Sequence, residues 1–161
     1  IGYQGELMSD TRGTAIMNRL FHAYAPYVGD IPGRHTGALL SNGDGEAVAY
    51  AIFNLQDRGP MFIEHGTKVY AGMIIGEHTR GNDRELNVIK GKKLTNVRAS
   101  GKDEAVVLTP PIKMSLEKAL AYVGDDELVE ITPKSIRLRK IYLDANERKR
   151  MSRTKEAADV A

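Results

Sequence analysis

The residues best suited to chemistry in this sequence are cations, and they concentrate in two segments. Residues 78–102 carry seven Lys/Arg and two acids, mixed with glycines, amides and hydroxyls, and residues 134–155 carry nine Lys/Arg and two acids. The rest of the chain holds seven Lys/Arg against 17 acids, so a formal charge of +2 conceals strong polarisation. Donors of these types contact phosphate and sugar, and such asymmetry is typical of nucleic-acid or anionic-surface binding.

We predict that residues 78–102 form a basic loop that inserts into folded RNA, with cations on phosphates and Thr95 or Asn96 on sugars or bases. This loop contains no stacking aromatic residue, which favours recognition of shape and backbone over reading of bases. The alternative for the loop is a solvated, mobile segment without a partner. The candidate RNA-binding residues are His78, Arg80, Lys90, Lys92, Lys93, Thr95, Asn96, Arg98 and Lys102 in the loop, and Arg137, Arg139, Lys140, Arg148, Lys149 and Arg150 in the C-terminal segment.

Patterns for catalysis or metal binding do not occur in the sequence. It has no cysteine, its four histidines lack ligand spacing, and it holds no phosphate-binding loop, nucleophile elbow or His-Glu-x-x-His motif. Arg34 and His35 suit either a phosphate site or a boundary turn, and we favour the turn. Residues 125–127 suit either a cation site or a solvated acidic turn, and again we favour the turn. We therefore expect no catalytic residue, metal or cofactor in this chain.

Length and composition indicate one core of ordinary size, since the chain has 161 residues of which 42% are hydrophobic. No apolar run approaches the length of a membrane span, and no signal-peptide pattern opens the chain. The absence of cysteine agrees with a reducing compartment. We expect a cytoplasmic protein with no membrane or DNA partner, and the opening Ile1 suggests a piece of a longer polypeptide.

The N-terminal residues are predicted to form a helix and a strand. Residues 3–10 fit a short helix that ends at Arg12 and Gly13, and residues 14–25 fit an apolar strand. Prolines and glycines then crowd residues 26–33, which marks a boundary near Val28. We therefore divide the chain into residues 1–28 and residues 29–161.

The second region reads as α+β and mainly β: a compact, barrel-like domain with one packed helix, the long basic loop and a basic C-terminal helix. Ser115 should cap the packed helix, which would bury Leu116, Ala119, Leu120 and Val123. Asp144 should cap the C-terminal helix. The other predicted elements are a hairpin of residues 37–41 and 46–51, a helical turn at 52–58, short strands at 61–63, 68–70, 73–76 and 105–108, and a strand pair at 128–132 and 135–139.

Seven motifs resemble the C-terminal part of the BipA/TypA family of bacterial translational GTPases. Together they span nearly the whole chain except its extreme C-terminus. They are PGRH at 32–35, GEAVAY at 45–50, NLQDRG at 54–59, YAGMIIG at 70–76, KGKKLTNVRASG at 90–101, DDELVE at 125–130 and ERKR at 147–150.

This resemblance implies a function that composition alone does not give. Residues 1–28 would be the tail of a domain similar to domain V of elongation factor G, and residues 29–161 would be the family-specific C-terminal domain. That domain would bind the ribosome, with large-subunit ribosomal RNA and the acceptor end of A-site tRNA as partners, in translation regulation, ribosome assembly or stress adaptation. GTP and magnesium would belong to a part of the protein outside this sequence.

Two other classes of function remain open. The triplet at 112–114, with the glycine-punctuated strands at 66–76, faintly resembles a carrier module, but Lys113 follows two prolines and precedes a helix. A protein-interaction or intramolecular docking domain would instead pair the basic segments with acidic surfaces. Replacing Lys92 and Lys93 with Ala would separate these readings, because RNA docking predicts lost ribosome binding and protein docking predicts loosened domain contacts.

Overall fold

The computed structural model describes residues 3–27, 34, 36–91 and 107–159, and for residues 5, 6, 9 and 155–159 it describes only the backbone. Four α-helices, one 3-10 turn and seven strands are present in these ranges. In chain order they are α1 Tyr3–Asp10, β1 Gly37–Ser41, β2 Gly45–Glu46, α2 Ala49–Leu55, the 3-10 turn Gln56–Arg58, β3 Lys68–Val69, β4 Met73–His78, β5 Arg84–Leu86, α3 Leu116–Tyr122, β6 Glu127–Thr132, β7 Ser135–Lys140 and α4 Ala145–Asp159.

Five strands form one sheet in the order β5-β1-β4-β7-β6, and β2 pairs with β3 in a small second sheet. The neighbouring strands of the large sheet are antiparallel except for β1 and β5, which are parallel. The fold is therefore mixed α/β with a mainly β framework. The described strands form an open sheet with β5 and β6 at its edges, and they do not close into the predicted barrel.

The core lies on both faces of β1, whose five residues are all buried. Leu39 packs in one cluster with Ile52, Met61 and other residues, while Leu40 packs in a second cluster with Ala119 and Leu138. Because side chains alternate across a strand, one strand supplies both clusters. This double burial explains why β1 reads as a continuous run of small and apolar residues.

The predicted hairpin of residues 37–41 and 46–51 is wrong. β1 pairs with β4 and β5, and residues Ala49–Leu55 form α2 instead of a strand. The run AYAIFNL contains two alanines and a leucine, which favour a helix, and Ala51 and Ile52 of this helix are buried in the core. By contrast, the structure confirms a helical turn before Gly59, strands around 68–69 and 73–76, and the β6–β7 pair.

The N-terminal region agrees with its predicted helix but not with its predicted strand. α1 ends as expected, with Arg12 at φ 52° and Gly13 at φ 81°. Residues 14–27 lie in no helix or strand, and Ile16, Leu20 and Tyr24 are 88%, 92% and 96% exposed. A strand needs a partner for its backbone hydrogen bonds, and the two described sheets do not supply one. The boundary near Val28 remains a prediction.

Helix α3 begins at the predicted cap but buries less than expected. The Ser115 hydroxyl accepts a hydrogen bond from the Lys118 amide at 3.3 Å. Ala119 is fully buried and Val123 is half-buried, whereas Leu116 and Leu120 are exposed. The helix has only seven residues, so a narrow stripe contacts the sheet. Of the predicted strand at 105–108, residues 105–106 lie outside the described ranges and residues 107–108 are not in a strand.

Candidate nucleic-acid interface

The predicted basic loop is described from His78 to Gly91, and this part is not all loop, because His78 ends β4 and Arg84–Leu86 form β5. Among its candidate RNA-binding residues, Arg80 and Lys90 are exposed, as a contact with phosphate requires. Six further candidates lie outside the described residues: Lys92, Lys93, Thr95, Asn96, Arg98 and Lys102.

His78 lies in the interior and not on the predicted surface. It is 3% exposed, and its Nδ1 lies 2.6 Å from the carbonyl oxygen of Asn82. This contact closes the turn between β4 and β5. Gly37 packs so tightly on the same turn that an added Cβ would lie 2.2 Å from the Asn82 oxygen. His78 therefore shapes the first part of the loop and is unavailable to RNA.

Lys140 is the second candidate that the structure removes from the surface. Its side chain is 2% exposed, and its Nζ lies 2.5 Å from Asp83 Oδ2, 2.8 Å from Asp126 Oδ2 and 3.0 Å from Glu127 Oε1. Burial alone would lower the pKa of Lys140, but hydrogen bonds with Asp126 and Asp83 and the charge of Glu127 outweigh it and raise that pKa. The ammonium group is fully occupied by carboxylates.

Arg34 completes this group of charges from the other side of Glu127. Its Nη1 and Nη2 donate to the two Glu127 oxygens at 3.1 and 2.7 Å, its Nε donates to the Thr36 carbonyl at 2.7 Å, and its guanidinium lies 4.1 Å from the Tyr122 ring centroid. Burial opposes the charge, but the hydrogen bond with Glu127 prevails and the pKa of Arg34 is raised. We call Arg34, Asp83, Asp126, Glu127 and Lys140 the buried charge cluster.

The buried charge cluster fixes the root of the basic loop. Asp83 directly precedes β5, and its second oxygen accepts a hydrogen bond from the Ala38 amide at 2.8 Å. One carboxylate therefore links β1, the start of β5 and the end of β7. The sequence showed its members only as an ordinary turn and an acidic run, and no local signal indicated that Glu127 would be buried against Arg34.

The two arginines of β7 are half-buried, and Arg137 is paired with a carboxylate. Arg137 Nη2 donates to Glu130 Oε1 at 2.7 Å, and the Tyr70 hydroxyl donates to Glu130 Oε2 at 2.5 Å. The Tyr70 hydrogen bond is the main reason that the pKa of Glu130 is lowered. Burial, followed by the bond with Glu130, raises the pKa of Tyr70 well above its ordinary range. Arg139 is also half-buried.

In helix α4, one cation contacts the rest of the protein and others are exposed. The Asp144 carboxylate caps the helix as predicted, accepting from the Asn146 and Glu147 amides at 2.9 and 3.0 Å. Arg148 donates to the carbonyls of Tyr142 and Leu143 and pairs with Glu85 of β5. These contacts hold the start of α4 against the edge strand. Lys149 and Arg150 are exposed, as is Arg153.

The structure thus sorts the nine described RNA-binding candidates into three groups. His78, Lys140 and Arg148 hold the fold together, Arg137 and Arg139 are half-buried, and four cations are exposed: Arg80, Lys90, Lys149 and Arg150. The pairing of Arg148 with Glu85 brings α4 beside β5, which lies between Arg80 and Lys90 in the chain. In the described ranges, no helix is both long and apolar enough to cross a membrane.

The family model described as "TypA/BipA C-terminal domain" matches residues 36–145. The chain is 54% identical over 154 residues to proteins named "Large ribosomal subunit assembly factor BipA" from Salmonella typhimurium and Escherichia coli K12, with 95% of this chain covered, and 56% identical to the protein of that name from Buchnera aphidicola subsp. Schizaphis graminum. The chain spans about a quarter of the length of these relatives, since it covers 25% of each.

Proposed function

This chain belongs to the TypA/BipA family, and from that premise we propose that it docks a ribosome-associated protein on RNA of the large ribosomal subunit. The names of the relatives, which describe assembly factors of the large ribosomal subunit, support this proposal. The observation that carries it is the exposure of Arg80, Lys90, Lys149 and Arg150 in the two basic segments, where Arg137, Lys140 and Arg148 are instead paired with carboxylates.

The exposed cations suit phosphate chemically. Each places a positive charge in water, where release of counterions from an RNA backbone favours binding. Lys90 also begins a stretch of 13 residues, 90–102, that contains five Lys/Arg and no acid. We propose that this stretch, with Arg80, reaches ribosomal RNA and the acceptor end of A-site tRNA, and that α4 supplies a second contact. GTP and magnesium remain expectations from the family resemblance for residues outside this chain.

Ribosome co-sedimentation of the intact protein, with a non-hydrolysable GTP analogue and a salt series, tests this function. Replacing Lys92 and Lys93 with Ala should weaken binding and lower the slope of log affinity against log salt by about 1.5, since each phosphate contact contributes roughly 0.7–0.9. The matched control replaces two exposed lysines at and near α3, Lys113 and Lys118, which should leave that slope unchanged. Equal slopes for both double variants would contradict RNA docking by the loop.

A second candidate function is docking against another protein segment, and residues 14–27 favour it. Ile16, Leu20 and Tyr24 expose nearly their whole side chains, and the Tyr24 ring contacts the exposed ring of Phe21. Exposed apolar side chains in contact with one another indicate a contact surface. In this reading the basic segments pair with acidic protein surfaces. Hydrogen exchange on the intact protein separates the two: the Lys92 and Lys93 double variant should speed amide exchange in residues 14–27 only if the basic loop holds protein domains together.

A further inference from the structure

Helix α4 is attached to the rest of the protein near its start. Arg148 pairs with Glu85 of β5, whereas the side chains of residues 149–154 are all exposed. In the described part of the chain, no other helix or strand packs extensively on α4. Between residues 145 and 154 only Ala145 and Met151 are apolar, and a polar helix of this length is marginal in water. A partner that binds its polar side chains would therefore stabilise α4.

One face of α4 concentrates cations. Residues three and four apart lie on the same face of a helix, and this spacing brings together an amide, three cations and a hydroxyl. They are Asn146, Lys149, Arg150, Arg153 and Thr154, which we call the α4 stripe, and all five are exposed. These side chains line one open depression of the surface. The stripe runs roughly 12 Å along the helix axis, so one partner can contact all of it.

The positive charge of the α4 stripe is almost uncompensated. Among the described residues, its one ion pair joins Arg150 Nη2 to Glu147 Oε1 at a distance of 3.9 Å. Such a long and exposed contact contributes little to stability. The donors of Lys149 and Arg153 are left for an anionic partner, and phosphate is an anion that both side chains bind well.

The polar neighbours of these cations favour double-stranded RNA as the partner. A-form RNA is recognised largely by shape, through phosphates and 2′-hydroxyl groups in its wide minor groove. Asn146 offers an amide donor and acceptor, and the Thr154 hydroxyl, which donates to the Arg150 carbonyl at 3.0 Å, keeps lone pairs that can accept a 2′-hydroxyl proton. The α4 stripe contains no aromatic ring on which an unpaired base could stack. A helix that carries these groups therefore suits the groove of a duplex better than unpaired bases.

We propose that the α4 stripe binds the backbone of double-stranded RNA, with its three cations on phosphates and with Asn146 and Thr154 on 2′-hydroxyl groups. This inference rests on the proposed function and deepens it, because it gives the form of RNA that α4 contacts. The α4 stripe and the basic loop make separate contacts, so substitutions in the two segments have separable effects.

Fluorescence anisotropy of the intact protein tests the stripe with an RNA duplex of about 20 base pairs, which spans two successive minor grooves. Arg150→Ser should weaken binding to this duplex roughly 10-fold, because a charged hydrogen bond to phosphate is lost. The dependence of log affinity on log salt should become shallower by about 0.9. Binding to the separated strands should be unchanged, and an equal loss on duplex and single strands would overturn the duplex as partner.

The matched control moves the charge around the helix without changing the composition. Arg150→Ser combined with Ser152→Arg keeps the net charge, and residues 150 and 152 lie about 200° apart around a helix of 3.6 residues per turn. Both sites are exposed, so urea unfolding should show that both variants are as stable as wild type. The double variant should bind the duplex as weakly as Arg150→Ser alone. Recovery of wild-type affinity would show that only net charge matters and would overturn the stripe.

Asn146→Ala tests the contact with 2′-hydroxyl groups. The substitution should weaken binding to the RNA duplex about 2- to 10-fold, since one hydrogen bond is lost. Binding to a DNA duplex of the same sequence should be unchanged, because DNA has no 2′-hydroxyl group. Equal losses on the RNA and DNA duplexes would overturn this contact.

Ribosome co-sedimentation separates this inference from the function on which it rests. If Arg150→Ser binds ribosomes and the RNA duplex as wild type does, while the Lys92 and Lys93 double variant binds ribosomes weakly, the stripe is overturned and RNA docking stands. If Arg150→Ser weakens binding to ribosomes but not to the duplex, α4 contacts a ribosomal protein and the RNA partner of the stripe is overturned. If wild-type protein binds neither ribosomes nor RNA, both proposals fail.

Discussion

Lys140 and Lys149 lie nine residues apart and carry the same charge, yet the structure gives them opposite roles. Lys140 is buried at the end of β7 among three carboxylates, whereas Lys149 is exposed on α4. Both belong to one basic segment in the sequence. The comparison teaches that the role of a cation depends on which acids the fold brings to it, and those acids come from distant positions: Asp83 and residues 126–127.

The two regions also differ in how charge affects stability. In the buried charge cluster, Lys140 and Glu127 have almost no access to water, while the Asp83 and Asp126 side chains are 36% and 68% exposed. Removing Lys140 therefore leaves the buried Glu127 charge with less compensation. On α4, water and salt screen each cation, and an exposed pair such as Arg150 with Glu147, 3.9 Å apart, contributes little. Substitutions should therefore show large effects on unfolding in the first region and small ones in the second.

Lys140→Met should have the largest effect, lowering the free energy of unfolding by about 3–5 kcal/mol, because three carboxylates lose a buried partner. Urea unfolding followed by circular dichroism at pH 7 measures the change. The matched substitution Lys149→Met should stay within about 0.5 kcal/mol of wild type. If Lys140→Met lowers the free energy of unfolding by less than about 1 kcal/mol, water screens the cluster and the buried charge cluster does not differ from α4.

The pH dependence of the stability loss in Lys140→Met sharpens this prediction. The pKa of Lys140 is raised above its ordinary value of 10.5 in the folded protein. The contribution of a cation with a raised pKa is fully present below the unfolded value and is lost as pH rises through the folded value. The stability difference between wild type and Lys140→Met should therefore persist at neutral pH and shrink only above pH 10.5.

Arg34→Lys should have the second-largest effect, lowering the free energy of unfolding by about 1–3 kcal/mol. A lysine keeps the charge but cannot donate to both Glu127 oxygens and the Thr36 carbonyl in one plane, and it loses the planar stack on Tyr122. Urea unfolding measures the loss. The control is Arg80→Lys at an exposed site, which should leave stability unchanged. Equal stability of both variants would mean that charge alone, and not the guanidinium geometry, holds the cluster.

Tyr70→Phe should have the third-largest effect, lowering the free energy of unfolding by about 1 kcal/mol because one hydrogen bond is lost. Because the Tyr70 bond is the main cause of the lowered pKa of Glu130, that pKa should rise in the variant. A carboxylate with a lowered pKa stabilises the fold above its unfolded value of 4.5 and loses this contribution as pH falls through the folded value. NMR titration of Glu130 checks the direction, with Tyr50→Phe as control. An unchanged Glu130 titration would contradict the assignment.

Replacing Lys149, Arg150 and Arg153 together with Ala should have the smallest effect on stability, within about 0.5 kcal/mol, because all three are exposed. Binding to ribosomes should respond instead, with a lower salt slope of up to about 2–3 units if each cation meets a phosphate. Co-sedimentation and urea unfolding of the same variant measure the two quantities. If the variant loses stability and binds ribosomes as wild type does, the cations of α4 stabilise the fold and do not contact RNA.

Local signals predicted the elements that depend on neighbouring residues. The caps at Ser115 and Asp144, the end of α1 at Gly13 and the β6–β7 hairpin all follow from spacing within a few residues, and the structure confirms them. Such local signals could not predict the pairing of strands that are distant in sequence. The apolar run at 37–41 suggested a hairpin with its neighbour, whereas β1 pairs with strands more than 30 residues away.

The sequence predicted which segments of the candidate site are basic, but not which of their residues lie on the surface. The sequence marked both basic segments, and the structure exposes Arg80, Lys90, Lys149 and Arg150 within them. It did not indicate which cations would be buried, because burial of Lys140 depends on acids 14 and 57 positions earlier, at Asp126 and Asp83.

The span between Arg34 and Glu127 has a consequence for how the chain matures during its own synthesis. The two residues that form the bidentate pair are 93 positions apart. A translating ribosome adds roughly 5–20 residues per second, so Arg34 waits about 5–20 s before its partner is made. Over that interval β1 can already pair with β4 and β5, while the guanidinium has only solvent or transient acids. Closure of the cluster is thus a late event in biogenesis, and it accompanies the addition of β6 and β7 to the strands already made.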